Sequence, residues 1–277
     1  MSALTLNDAP EWVTGQNEPP VDPWSLGAIC SSKKWSGMKT IIYGTPGVGK
    51  TTFAATFPNP ILIRTEDGAS AMDIPTFPNI VTSTAQLRQV NALLYKEEHP
   101  YKTVILDSLD WLEPIVWDEL CKRGGKSNIE DFGYGKGYIY LDTDWRKITA
   151  QFDWLNRKGM NVVVICHSAA VTITAPDTDD YMSYSLKLHK RATSIWTEWS
   201  DMILFLDYQK SIVDSGKGDS AKKKAIGTGE RIVYTASRPA YTAKTRWALP
   251  EAIYIENQTY SEFHEAMKEA TDGAYQF

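Results

Sequence analysis

Residues 44–51 read GTPGVGKT. Every fixed position of the pattern G-x-x-x-x-G-K-[ST] is filled, by Gly44, Gly49, Lys50 and Thr51. The flanks agree with the pattern. Residues 39–43 (KTIIY) form a short β-branched and aromatic run that predicts a buried strand, and residues 51–57 (TTFAATF) predict a helix stopped by Pro58. Strand, glycine loop and helix, in that order, make a phosphate-binding loop. Its glycines let backbone N–H groups turn toward one centre, and the helix N-terminus adds partial positive charge there. The expected cradle is Gly44, Thr45, Pro46, Gly47, Val48, Gly49, Lys50, Thr51 and Thr52. Lys50 is expected to reach the β- and γ-phosphates, and Thr51 to hold Mg²⁺ through its hydroxyl.

Outward from the loop, strands and helices alternate. Pro60–Arg64 (PILIR) predicts a second strand, closed by Thr65, Glu66, Asp67 and Gly68, and residues 80–82 a short third one. Residues 84–97 carry Leu87, Val90, Leu93 and Leu94 on one helical face, with Thr84 as N-cap. Thr103–Asp107 (TVILD) is an apolar strand ending in a carboxylate, and residues 108–121 read as helix. Residues 123–138 hold five glycines and several charges and read as a mobile loop. A long helix over 139–158, with Trp145, Ile148, Phe152 and Leu155 on one side, stops at Gly159. Residues 161–166 (NVVVIC) form another buried strand, ending at His167. Strands that are apolar throughout signal a parallel sheet covered on both faces. Sites in such sheets lie at the carboxyl ends of the strands, where Gly44, Glu66, Asp107 and His167 all fall.

That placement suggests roles. Asp107 suits the carboxylate that holds Mg²⁺ through water. A second carboxylate must orient the attacking water. The position directly after Asp107 is Ser108, so Glu66 is the best candidate, with Asp67 behind it. No N-K-x-D motif for reading guanine occurs, so ATP is the expected nucleotide. His167 suits either a γ-phosphate sensor or a hydrogen-bonded strand-end histidine. Lys244 and Arg246, one residue apart in YTAKTRWALP, point to the same side of a strand. They could neutralise γ-phosphate charge across a subunit boundary, or make a basic edge strand that discourages unwanted pairing.

The second half of the chain changes character. Residues 168–190 are polar and turn-rich, a long connection, and residues 209–230 suggest a flexible hairpin tip. Strands are expected at 202–206, 232–236 and 252–256, the last two antiparallel, and a closing helix at 261–270. Residues 1–37, rich in Pro, Asn and Gly, read as an irregular arm that Trp12 and Trp24 could dock, leaving one domain over 38–277. The net charge of −5 argues against an overall basic nucleic-acid surface. Two basic segments, residues 187–191 (KLHKR) and 222–224, could still touch nucleic acid, with Tyr134, Tyr138, Tyr181 and Tyr184 stacking on bases. The commoner outcome for such runs is a solvated charged face. Cys30, Cys121 and Cys166 lack C-x-x-C spacing, so neither a disulfide framework nor a zinc site is suggested and a reducing cytoplasm fits best. No apolar stretch is long enough to span a bilayer.

Together these motifs resemble the RecA-like ATPases: GTPGVGKT, a glutamate after the second strand, ILD followed by Ser, and a polar residue after VVVIC. More closely, GYGKGYIYL, GMNVVVICH and AKTRWALP resemble the single-domain RecA-core proteins of bacteriophages, which include the fourth Sak family of single-strand annealing proteins. The resemblance covers roughly residues 38–256. It implies a RecA-like α/β fold, a mostly parallel central sheet with helices on both faces and late antiparallel strands. It also implies a Mg²⁺-dependent ATPase, in a bacterial host cytoplasm, that binds single-stranded DNA and supports annealing or recombination of phage DNA. The strand would lie along residues 123–138 and 168–191. Lys244 and Arg246 match the family's K-x-R finger, which implies a homo-oligomer with nucleotide at its subunit boundaries. A single-strand DNA-binding protein is a further implied partner, and a membrane is not. The chain departs from the family in being acidic without a separate DNA-binding domain. The alternative is a RecA-core regulatory ATPase that acts on protein partners. A small-molecule P-loop kinase is a weaker third, since no acceptor-binding lid is recognisable.

Overall fold

The computed structural model describes residues 25–26, 37–68, 72–215 and 222–275, without the side chains of 211–226 and 228. Contacts divide the chain into Met1–Lys34 and Trp35–Phe277, and everything below concerns the second unit. The expectations on Trp12, Trp24, Cys30 and the side chains of 222–224 lie outside the described residues.

The elements are β1 (Lys39–Gly44), α1 (Lys50–Ala55), β2 (Pro60–Arg64), α2 (Thr84–Lys96), β3 (Thr103–Asp107), α3 (Leu109–Gly124), α4 (Lys136–Arg157), β4 (Asn161–Ala175), β5 (Thr178–Leu186), α5 (Lys190–Trp199), β6 (Met202–Ser215), β7 (Lys222–Tyr234), β8 (Ala252–Ile255) and α6 (Ser261–Ala270). They build one sheet in the order β2-β3-β4-β1-β6-β7-β8, with β5 attached to β4. Pairings from β2 through β6 are parallel. Those of β7 with β6 and β8, and of β5 with β4, are antiparallel. This is the mostly parallel α/β layout with late antiparallel strands expected from the sequence, with β1 at its centre.

Alternate residues of the buried strands feed two cores. Ile41 and Tyr43 of β1, with Val104, Val162 and Phe205, meet α2 to α5 through Leu87, Leu112, Trp145 and Trp196. Ile42, with Ile105, Val163 and Leu204, meets α1, the bend after it and α6 through Phe53, Phe57, Phe263 and Met267. Both faces are therefore covered, which is why these strands carry no polar alternation. Among the described residues no helix is long and apolar enough to cross a membrane.

Four expectations need correction. Residues 123–138 are not one loop. α3 runs on to Gly124, a 3-10 turn spans Ile129–Phe132, and α4 starts at Lys136. The turn is fixed by a capping box between Asn128 and Asp131, which outweighs the glycine content. Residues 168–186 are no irregular connection but the outer half of β4 folded against β5. Residues 80–82 form no strand, although Val81 N–H donates to Arg64 O at 2.8 Å. The N-cap of α2 is Ser83, whose hydroxyl accepts from Gln86 N–H, rather than Thr84.

Candidate nucleotide-binding site

The loop after β1 owes its path to two glycines. A Cβ on Gly44 would lie 2.2 Å from Leu206 O of β6, so only glycine lets the chain leave the sheet there. Gly49 has φ +102°, and a Cβ on it would meet Arg231 Nε at 3.0 Å. Lys50 opens α1 and is 6% exposed. Its ammonium donates to Gly44 O at 3.2 Å and Thr45 O at 3.0 Å, so it curls over the loop. Burial holds its pKa below the ordinary lysine value, and Asp107 and Asp110 offset part of that.

Thr51 Oγ1 donates to Asp107 Oδ2 at 2.8 Å. Asp107 is buried, and burial raises its pKa, with the Thr51 bond acting against the rise and Glu66 adding to it. Beyond it, across a cis Asp107–Ser108 peptide, β2 and β3 are stitched by Thr65. Its N–H donates to Asp107 O at 2.8 Å. Its hydroxyl donates to Ser108 O at 2.6 Å and accepts from Ser108 N–H at 2.7 Å. Ser108 Oγ in turn donates to Glu66 Oε1 at 2.9 Å. Glu66 is thereby set beside Asp107. Asp67 points elsewhere: it is exposed and pairs with Arg64 at 3.6 Å.

A hydroxyl and a carboxylate 2.8 Å apart are hard oxygen donors. That combination fits Mg²⁺, which is commonly held by one or two protein oxygens, waters and substrate phosphates.

Gly44 and His167 are register partners across β1 and β4. His167 is tied to Asp110: its N–H donates to Oδ1 at 3.0 Å, and its Nδ1 lies 2.9 Å from Oδ2. Lys187 approaches the same carboxylate at 3.9 Å. Burial pushes the Asp110 pKa up, but the His167 bonds outweigh it and leave it below the ordinary carboxylate value. The hydrogen-bonded reading of His167 is thus the geometry observed. Cys166 is fully buried, its pKa pushed well up by burial, so its thiol is inert.

Lys244 and Arg246 do not join this site. Lys244 bridges Ile203, near the start of β6, and its ammonium donates to Thr197 O at 2.6 Å. Arg246 pairs with Asp201 at 3.3 Å. Asp201 also accepts the N–H of Lys39, so both cations sit by the amino end of β1, away from the loop. Several predicted base-stacking groups are also occupied. Tyr184 stacks on Phe205 inside the fold, with centroids 5.4 Å apart. Tyr138 stacks on His189 at 3.8 Å. Arg191 pairs with Asp142. Tyr134 is fully exposed.

Sequence reasoning missed Thr65 and Asp110. Asp110 was findable, because it opens a helix three residues after Asp107 and so returns to the same strand end. Thr65 meets Ser108 only through the pairing of β2 with β3.

Glycine loop, buried lysine, threonine and strand-end aspartate define a P-loop fold of the nucleotide-binding kind. The AAA domain model matches residues 36–247, and the chain belongs to that family. No curated protein matches the chain in sequence. Among solved structures, the crystal structure of the RadB recombinase is similar at 16% identity and a TM-score of 0.43, over 79% of this chain and 86% of that one.

Proposed function

We propose that the chain is a Mg²⁺-dependent ATPase that binds single-stranded DNA and supports annealing or recombination of phage DNA. The observation that carries the ATPase part is the convergence of Lys50, the Thr51–Asp107 pair and Glu66 at the carboxyl ends of β1, β3 and β2. Lys50 exchanges its two loop carbonyls for phosphate oxygens. Thr51 and Asp107 would hold Mg²⁺, which when bound would supply neutralising charge for the nucleotide's phosphates. Glu66, freed from Ser108, orients the attacking water and accepts its proton. Lys244 and Arg246 act on the nucleotide of a neighbouring copy.

The DNA part rests on the resemblance of GYGKGYIYL, GMNVVVICH and AKTRWALP to phage RecA-core proteins. It is supported by the exposure of Tyr134, Lys126 and Lys136 in the segment that runs from α3 into α4. The second reading, an ATPase acting on protein partners, is favoured by the internal pairing of Lys187 and Arg191.

The test is the ATPase rate with and without single-stranded DNA at several salt concentrations. Stimulation that fades as salt rises is expected for phosphate contacts. Turnover indifferent to DNA at low salt favours the protein-partner reading, and no turnover at all removes both.

A further inference from the structure

A loop that turns its N–H groups inward, toward an anion, must turn carbonyls outward. Buried outward carbonyls need donors of their own. In this chain three consecutive loop carbonyls accept from side chains of the second half, the middle one belonging to buried Val48 and the last, Gly49 O, also accepting from Phe53 N–H at 2.9 Å. Tyr208 Oη donates to Gly47 O at 3.2 Å, Arg231 Nε to Val48 O at 2.7 Å, and Tyr260 Oη to Gly49 O at 3.4 Å.

We propose that Tyr208, Arg231 and Tyr260 are positioning residues for the bound nucleotide, clamping the outer side of the phosphate loop so that its inner N–H groups stay aimed at the phosphates. The proposal rests on the nucleotide-site reading above.

Arg231 is the centre of the clamp. The peptide unit is planar, so a bond to Val48 O fixes the plane whose other end is the Gly49 N–H. A charged donor also polarises that peptide and strengthens its N–H as a donor on the far side. The three residues are themselves held. Tyr208 and Arg231 are cross-strand partners on β6 and β7, the guanidinium 5.9 Å from the tyrosine ring centroid. Tyr260, fully buried, stacks on Phe53 of α1 with centroids 4.3 Å apart and planes 10° apart. The space is closed: a Cβ on Gly49 would lie 3.0 Å from Arg231 Nε and 3.1 Å from Tyr260 Oη. None of the three belongs to the phosphate-loop pattern, and Tyr260 lies beyond the residues that the family model covers.

The experiment compares ATP affinity and nucleotide-free melting temperature in the wild type and in Arg231→Met, Arg231→Lys and Tyr208→Phe. Arg231→Met keeps the length of the side chain and removes its donor and charge. It should raise the Kd for ATP about tenfold or more, the scale of a hydrogen bond from a charged group. KM should rise more than kcat falls, and the nucleotide-free melting temperature should hardly move. Arg231→Lys, which keeps a charged donor, should recover most of the affinity. Tyr208→Phe, which removes one hydroxyl, should cost about threefold. An unchanged Kd in folded Arg231→Met overturns the proposal and leaves the site reading intact. So does a fall in melting temperature that tracks the affinity loss and that lysine fails to rescue. If Arg231→Met does not fold, an unchanged Kd in Tyr208→Phe overturns it in the same way. A wild-type protein that binds no ATP overturns both.

Discussion

The two ends of β1 put the same kinds of group to different use. At the carboxyl end, Lys50, Thr51, Asp107 and Glu66 converge, and the chain meets their needs only in part. Asp107 is buried against one hydroxyl, and Lys50 leans on two carbonyls of its own loop. At the amino end, Lys244 and Arg246 each hold a single partner in their own subunit, and Arg246 stays largely exposed. Lys244 holds a carbonyl in the last turn of α5, where a cation is favourable against the helix dipole. Arg246 holds Asp201. The difference teaches that residue type at a strand end does not by itself mark a site. What separates the two ends is burial: Lys50 and Asp107 are buried polar groups that converge, whereas Arg246 is largely exposed. A finger acting on a neighbour must first give up its own partners.

The largest effect expected is at the carboxyl end. Lys50→Ala should abolish ATP hydrolysis and weaken nucleotide binding. It should leave the melting temperature near that of the wild type, because the ammonium it removes is held in a site that disfavours its charge. Near-normal turnover in the folded variant would dissolve the contrast between the two ends.

The next test asks whether the amino end is catalytic at all. Arg246→Ala should depress turnover about 10³-fold or more, the range of arginine fingers, while ATP binding holds. Its stability should barely change, since an exposed pair such as Arg246–Asp201 is worth about 0–1 kcal/mol. Mixing settles the direction of action. Lys50→Ala subunits, with a dead site and an intact finger, should restore some activity to Arg246→Ala subunits. Demonstrably mixed oligomers that stay inactive would leave Lys244 and Arg246 with the structural role seen within one chain.

Glu66→Gln should keep ATP binding and slow hydrolysis by ~10²-fold or more, the scale of lost general-base help. Asp67→Asn should change little, because Asp67 is exposed and faces Arg64. Reversed phenotypes would move the base by one residue.

The smallest effect is on stability and is read by pH. His264 backs α1 from behind, its Nε2 2.7 Å from Thr56 Oγ1 and its Nδ1 2.7 Å from Tyr275 Oη. Burial lowers its pKa to about 4 from 6.5. The fold thus keeps the ring neutral while the unfolded chain takes up a proton below pH 6.5. Its contribution, at most about 3 kcal/mol, is whole above that pH and is lost as the pH falls toward 4. Glu113 has the opposite sign. Burial raises its carboxyl to about 7, with the bond from His189 N–H opposing the rise, so its contribution is whole below pH 4.5 and is lost as pH rises through 7. Melting curves from pH 4 to 8 separate the two. His264→Gln should flatten the acid side, and Glu113→Gln should raise the melting temperature at pH 8. Identical profiles in all three proteins would remove both assignments.

Much of this was legible in the chain itself. β2, β3 and α6 begin and end where their apolar runs do, because short buried strands and an amphipathic closing helix are local patterns. The phosphate loop was legible for the same reason. α5 was not foreseen, although Ala192, Ile195 and Trp196 carry its buried face at helical spacing; the polar residues around them masked the period. The β4–β5 hairpin was hidden in a similar way. Half-buried Val171 and Ile173 alternate with exposed Thr172 and Thr174, a period-2 signal obscured by the polar turn that follows. The outer clamp on the loop was beyond reach, since it joins residues that meet only when distant strands register.

α1 has six residues, too few to persist as a helix alone in water. Its outer face is covered by Tyr260, Phe263 and His264, which meet Phe53 and Phe57. During synthesis the loop and its helix therefore leave the ribosome about two hundred residues ahead of the groups that hold them. Their closure waits on the most distant contacts in the chain, the kind that form slowly because loop entropy is spent before any contact rewards it. A nascent chain halted before α6 would carry the whole phosphate-binding signature in its sequence and have no finished pocket to show for it.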